Sequence, residues 1–114
     1  MKSNSGARPH NIEAEQSLLG AAMIQNDVID RIRHTLKPDQ FFDPLHARIF
    51  QAMIGRREQG QKSSPVLLKP AFEDDAAMID IGGTSYLTRL AGSAVSIVDS
   101  PHYATQIRDL WVKR

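Results

Sequence analysis

Two glycine-containing segments are the places where the sequence could bind a phosphate group. Residues 60–63 (GQKS) end like a phosphate-binding loop, in which a lysine and a hydroxyl residue follow a glycine. The segment lacks the first glycine of the G-x-x-x-x-G-K-[ST] pattern and the preceding strand, so we interpret it as a polar connector between helices. Gly82 and Gly83 are not part of a G-x-G-x-x-G dinucleotide-binding pattern either.

The histidines are the remaining candidates for acid–base or metal chemistry. No two of His10, His34, His46 and His102 have the H-x-x-x-H spacing that places two imidazoles on one helix face. Asp43 lies three residues before His46, a spacing that would allow a shared metal ion or an acid–base pair. We prefer the alternative in which Asp43 caps a helix and His46 is a partly exposed residue of its first turn. The sequence therefore predicts no catalytic, cofactor-binding or metal-binding residue.

Basic residues are concentrated in the region predicted to form the second and third helices. Such a cluster could contact nucleic-acid phosphates, but no aromatic residues are interleaved for base stacking, so a solvated face is the preferred interpretation. The whole chain has 14 Lys and Arg against 13 Asp and Glu, a net charge of +1. A small helical nucleic-acid-binding module remains the alternative function. The cluster consists of Arg31, Arg33, Lys37, Arg48, Arg56 and Arg57.

Composition predicts one soluble globular domain. The chain has 114 residues, of which 41% are hydrophobic, and it contains no cysteine. Disulfides and thiolate metal sites are therefore excluded, and a reducing compartment such as the cytoplasm is favoured. No stretch approaches the about 18 apolar residues of a membrane span, so we expect no membrane association. Residues 1–9 are polar, lack the apolar run of a secretory signal, and are predicted to be a disordered tail.

Apolar residues recur at helical spacing along the rest of the chain and predict an all-α fold of about six helices, the third being central. Pro70 should kink or shorten the fourth helix, and Gly92 should cap the fifth. We expect an acidic connector at residues 73–75 and a loop at residues 95–98. The helices are predicted to follow caps or turns at Asn11, Asn26, Asp43, Ser64, Gly83 and Ser100.

Four blocks of the sequence closely resemble, in the same order, the N-terminal domain of DnaB-type replicative DNA helicases. Residues 63–78 depart from the usual pattern of that family. The resemblance implies a helical head at residues 10–100 and, at residues 101–114, the start of a helical hairpin. The blocks are residues 8–20 (RPHNIEAEQSLLG), 41–50 (FFDPLHARIF), 82–90 (GGTSYLTRL) and 103–114 (YATQIRDLWVKR).

The resemblance also implies a function and partners. Domains of this family form the collar of a ring hexamer and receive the C-terminal domain of primase, and a helicase loader is a further candidate partner. The motor domain, with its ATP and Mg²⁺ sites and most DNA contacts, would lie outside this chain. We therefore expect a non-catalytic domain of a bacterial replisome, without a cofactor of its own.

The partner-facing surface is predicted on the last two helices. The resemblance indicates the region, and the residues are selected because large apolar or amphipathic side chains anchor interfaces and because the last helix ends without a cap. The candidate partner-binding residues are Tyr86, Arg89, Ile107, Leu110 and Trp111.

Overall fold

The computed structural model describes residues 10–94 and 99–114. Within these ranges the chain forms seven α-helices and one 3-10 turn at Pro38–Gln40, with no strand, so the predicted all-α fold is confirmed. The predicted tail at residues 1–9 and the predicted loop at residues 95–98 lie outside the described residues. The helices are α1 (Ile12–Ile24), α2 (Asp27–Ile32), α3 (Pro44–Glu58), α4 (Pro65–Phe72), α5 (Ala76–Asp80), α6 (Ser85–Gly92) and α7 (Ser100–Lys113).

Side-chain caps start three of the predicted helices as expected. The Asn11 carboxamide oxygen accepts the Ala14 N–H at 3.0 Å at the start of α1. Asp43 caps α3 through the Leu45 N–H at 2.9 Å, and Ser64 caps α4 through the Leu67 N–H at 3.2 Å. These bonds satisfy N–H groups that have no partner inside a helix.

Two predictions about the helices are wrong: one helix was missed, and Gly92 is not a cap. The region around the acidic connector contains a seventh helix, α5, because the Asp75 carboxylate caps it through the Met78 N–H at 3.1 Å. Helix α2 ends at Ile32, and Leu36 is buried in the segment that follows it. Gly92 is the last residue of α6 rather than its cap. Pro70 lies inside α4, which has eight residues and ends at Phe72, two residues after the proline.

The core forms around α1, so the prediction that the third helix is central is also wrong. Helix α1 packs against α2, α3, α6 and α7. Its residue Gly20 lies against the backbone of α6, where a Cβ atom would come within 2.0 Å of the Leu90 carbonyl oxygen. None of the described helices is long and apolar enough to cross a membrane. The largest fully buried side chains include Leu18, Leu19, Ile29, Phe50, Met53, Met78 and Leu87.

Candidate interaction surface

A buried polar network joins α1, α3 and α6. His46 is fully buried, which corrects the prediction of a partly exposed side chain. Its Nδ1 lies 2.9 Å from Glu15 Oε1, and its Nε2 lies 2.6 Å from the Tyr86 hydroxyl. Helix α1 contributes Glu15, α3 contributes His46 and α6 contributes Tyr86, so the network links three helices at one point of the core.

One arrangement of protons satisfies every member of this network. Gln16 donates to the Tyr86 oxygen at 3.1 Å, and the Tyr86 hydroxyl then donates to His46 Nε2. His46 donates from Nδ1 to Glu15, whose other oxygen accepts the Phe42 N–H at 2.7 Å. With these donors and acceptors, no buried polar atom of the network is without a partner.

The network is structural rather than catalytic. Glu15, His46 and Tyr86 are each at most 3% exposed, so a substrate cannot reach them. Asp43 Oδ2 lies 4.0 Å from His46 Nε2, beyond hydrogen-bond distance, while Asp43 caps α3. Among residues 10–94 and 99–114, no three His, Cys, Asp or Glu side chains are placed to hold a metal ion.

The stability of the domain should fall at alkaline pH because the hydroxyl of Tyr86 is buried. Desolvation by burial raises the pKa of its hydroxyl above the ordinary value of 10.0. The unfolded chain therefore loses this proton at a lower pH than the folded chain, and the contribution of Tyr86 to stability falls as the pH rises above about 10. Urea unfolding of wild type and Y86F between pH 8 and 11 measures this contribution to the free energy of unfolding. The stability difference between the two proteins should shrink above about pH 10; a constant difference would contradict the raised pKa.

The glycine-containing connector at residues 60–63 offers few free donors to a phosphate group. The N–H groups of Gly60 and Gln61 donate to the carbonyl oxygens of Arg57 and Arg56 at 3.1 Å and 2.8 Å. The Ser63 N–H donates to the Asn26 side chain at 2.9 Å. Backbone N–H groups that are already bonded cannot cradle an anion, which favours the interpretation as a connector.

Most cations of the predicted basic cluster are paired with carboxylates. Arg31 pairs with Asp27, Arg33 with Glu58, Arg48 with Asp75 and Arg57 with Asp30. The hydrogen bond from Arg57 lowers the pKa of the Asp30 carboxyl below its ordinary value. Neutralised cations attract phosphate weakly, so the structure disfavours nucleic-acid binding by this face.

The five predicted partner-binding residues do not form one surface. Tyr86 and Ile107 are 3% and 1% exposed, so their predicted placement on an open surface is wrong. They point to the core because α6 and α7 turn these faces toward α1 and its neighbours. Arg89 is exposed, and its guanidinium lies 5.2 Å from the centre of the Tyr86 ring and donates to the Ile81 carbonyl oxygen.

The other two predicted partner-binding residues, Leu110 and Trp111, lie in the last turn of α7. Trp111 is 39% exposed and the following Val112 is 67% exposed, while Leu110 is half-buried. Arg114 lies over the Phe42 ring at 5.5 Å and donates to the Gln40 carbonyl oxygen, so the end of α7 is anchored to the segment before α3. Trp111 and Val112 are therefore two exposed apolar side chains on an anchored helix end, which we call the α7 patch.

A second exposed apolar group was missed by the sequence analysis. Ile24, Val66 and Leu67 are 63%, 78% and 45% exposed. Residues 65–68 (PVLL) are consecutive apolar positions in a helix, and a helix turns only one stripe toward the core. This run could have predicted exposed apolar side chains, because Leu68 is buried and Val66 and Leu67 therefore face away from the core.

Comparison with known proteins places the chain in a family. The sequence model of the protein family described as the DnaB-like helicase N-terminal domain matches residues 7–109. The chain belongs to this family. The resemblance predicted from the four sequence blocks is therefore confirmed.

The curated relatives are replicative helicases that are much longer than this chain. The chain is 30% identical over 106 residues to the replicative DNA helicase DnaB of Rickettsia conorii, with 93% of the chain but 22% of the relative aligned. It is 33% identical over 106 residues to DnaB of Rickettsia typhi, again over 93% of the chain and 21% of the relative. It is 30% identical to the replicative DNA helicase DnaC of Bacillus subtilis over 97% of the chain and 24% of that protein. The chain thus spans about a fifth to a quarter of the length of these relatives.

A solved structure has the same fold. The N-terminal domain of DnaB helicase from Mycobacterium tuberculosis superposes with a TM-score of 0.85 at 24% identity, covering 95% of this chain and 75% of that one. The arrangement of helices described above is therefore the fold of the DnaB N-terminal domain.

Proposed function

We propose that this DnaB N-terminal domain is a non-catalytic assembly and docking domain. It contributes to the collar of a helicase ring by contacting other helicase subunits, and it receives the C-terminal domain of primase. The observation that carries the proposal is the family match over residues 7–109. The exposed Trp111 of the α7 patch supports it, because tryptophan is enriched among the residues that anchor protein interfaces.

The chemistry of the described residues agrees with a docking role. The polar network around His46 is enclosed, and the N–H groups of the connector at residues 60–63 are largely bonded within the chain. We propose that ATP hydrolysis and unwinding, with the ATP and Mg²⁺ sites they need, belong to a motor domain of a longer helicase, as the names of the relatives suggest. Such a protein would act on DNA in the cytoplasm.

The docking role predicts a specific effect of removing the α7 patch. W111A should weaken binding of the cognate primase C-terminal domain by about 1 kcal/mol or more, because aromatic side chains often carry much of an interface energy. The midpoint of thermal unfolding should change little, since Trp111 is 39% exposed. Isothermal titration calorimetry and differential scanning calorimetry measure the two effects.

Two controls separate docking from folding. I79A removes a similarly exposed apolar side chain from α5 and should leave primase binding unchanged. I107A truncates a buried side chain and should lower the free energy of unfolding by about 2 to 5 kcal/mol. Unchanged primase affinity in folded W111A would reject the α7 patch as the docking surface.

A further inference from the structure

A groove of about 610 Å³ lies at the opposite end of α1 from its cap at Asn11. It is formed by the last turn of α1, the start of α2, the connector at residues 62–64 and the first turn of α4. Met23, Ile24 and Leu67 form its apolar wall. We call it the α1–α4 groove, and neither the polar network nor the α7 patch contributes a residue to it.

The side chain of Asn26 holds this groove in shape. Its amide nitrogen donates to the Ala22 carbonyl oxygen at 2.7 Å and to the Ser63 carbonyl oxygen at 2.8 Å. Its oxygen accepts the Ser63 N–H at 2.9 Å. The end of α1 is thereby tied to the connector before α4, so the groove exists before any partner binds, which reduces the entropic cost of binding.

Two residues that line the groove, Asp27 and Ser63, each have a buried polar atom with unused hydrogen-bonding capacity. Ser63 is 2% exposed, and its hydroxyl has no partner. Asp27 pairs with Arg31 through Oδ2, but its buried Oδ1 has no partner. A buried polar group without a hydrogen bond destabilises the folded chain, so a ligand that supplies a partner gains affinity. Both atoms are buried in the free chain, so they bond a ligand only after the Ser63 and Asp27 side chains rotate toward the groove. The hydroxyl then donates to a carbonyl or carboxylate oxygen, and the Asp27 oxygen accepts an N–H.

The charge around the groove is positive. The carboxylates of Asp27 and Asp30 are each paired with an arginine, Arg31 and Arg57 respectively. Arg56 donates to the Lys62 carbonyl oxygen, which carries no net charge to offset the guanidinium, and the Lys62 side chain is exposed. These cations remain available to a partner of opposite charge.

We infer that the α1–α4 groove docks an acidic amphipathic segment of a protein partner. An apolar side chain of that segment packs against Ile24 and Leu67, and a carboxylate lies beside the Lys62 ammonium. On binding, rotation of the Ser63 and Asp27 side chains toward the groove lets the Ser63 hydroxyl donate to an oxygen of the segment and lets Asp27 Oδ1 accept an N–H from it. The inference extends beyond the proposed primase docking, because it concerns a different surface and is tested without primase.

The test uses a synthetic helical peptide with leucines on one face and glutamates on the other. A scrambled peptide of the same composition, and a peptide with lysines in place of the glutamates, serve as matched probes. Titration of the isotope-labelled chain, followed by NMR, should perturb the signals of Ile24, Lys62 and Leu67 with the acidic peptide and much less with either matched probe. Equal binding of the scrambled or the lysine peptide would overturn the inference.

Variants of the chain test the individual contacts. L67S and K62E should each lower the affinity for the acidic peptide by about tenfold or more. I79S, at an exposed position on α5, should leave this affinity unchanged. S63A should weaken binding by about fivefold without lowering stability, because its hydroxyl has no partner in the free chain. A stability loss in S63A without a loss of affinity would contradict the role of that hydroxyl.

Evidence that either of two other molecules occupies the groove would also overturn the inference. A single-stranded oligonucleotide that perturbs the same signals more strongly than the acidic peptide would identify a nucleic-acid site. Concentration-dependent dimerisation that disappears in L67S, measured by sedimentation, would identify a contact between two copies of this chain.

Discussion

G20A should lower the free energy of unfolding by about 3 kcal/mol or more. An added Cβ at Gly20 would meet the Leu90 carbonyl oxygen at 2.0 Å and the Ala94 nitrogen at 3.0 Å. Both atoms belong to the backbone, so no side-chain rotation relieves the overlap, and α1 and α6 must move apart. Urea unfolding followed by circular dichroism measures the loss.

G55A is the matched control for this substitution. Gly55 lies inside α3, and an added Cβ would meet no atom within 4 Å. Because alanine favours the helix over glycine, G55A should raise the free energy of unfolding by about 0.5 to 1 kcal/mol. Wild-type stability in G20A would mean that α1 and α6 do not pack as closely as described.

H46A should lower the free energy of unfolding by about 3 to 5 kcal/mol. The substitution removes the donor to buried Glu15 and the acceptor for the Tyr86 hydroxyl, and it leaves a cavity between three helices. Breaking a buried charged network by removing one member leaves the others without partners, which costs more than the lost contact. The same urea measurement determines the change.

H102A is the control at an exposed histidine, which should change stability by no more than about 0.5 kcal/mol. A double-mutant cycle of H46A and Y86F should give a coupling energy of about 1 kcal/mol or more, since the two side chains are hydrogen-bonded at 2.6 Å. Additive effects of the two substitutions would show that His46 and Tyr86 do not interact in solution.

The helix starts were predictable because capping is local. Asn11, Asp43 and Ser64 each bond an N–H two or three residues further along, so residue type and spacing suffice to locate the start. The extra helix at Ala76–Asp80 was missed although Asp75 has the same capping chemistry, because its five residues are too few to show a helical period.

The functional surfaces were only partly predictable. Periodicity places Ile107 and Trp111 four residues apart on one helix, but the structure buries Ile107 and exposes Trp111. The period shows which residues share a face and not where along the helix its neighbours end. The α1–α4 groove depends on contacts between Asn26 and Ser63, which are 37 residues apart.

The order of residues alone was enough to establish the all-α class, the main helix starts and the family, since each depends on local spacing or on short blocks of sequence. The burial of His46 could not be predicted from local spacing. Its partners Glu15 and Tyr86 lie 31 and 40 residues away, and only the packing of α1, α3 and α6 brings the three side chains together. A polar residue is stable in the core only when such partners are present, and their positions are set by the packing of distant helices.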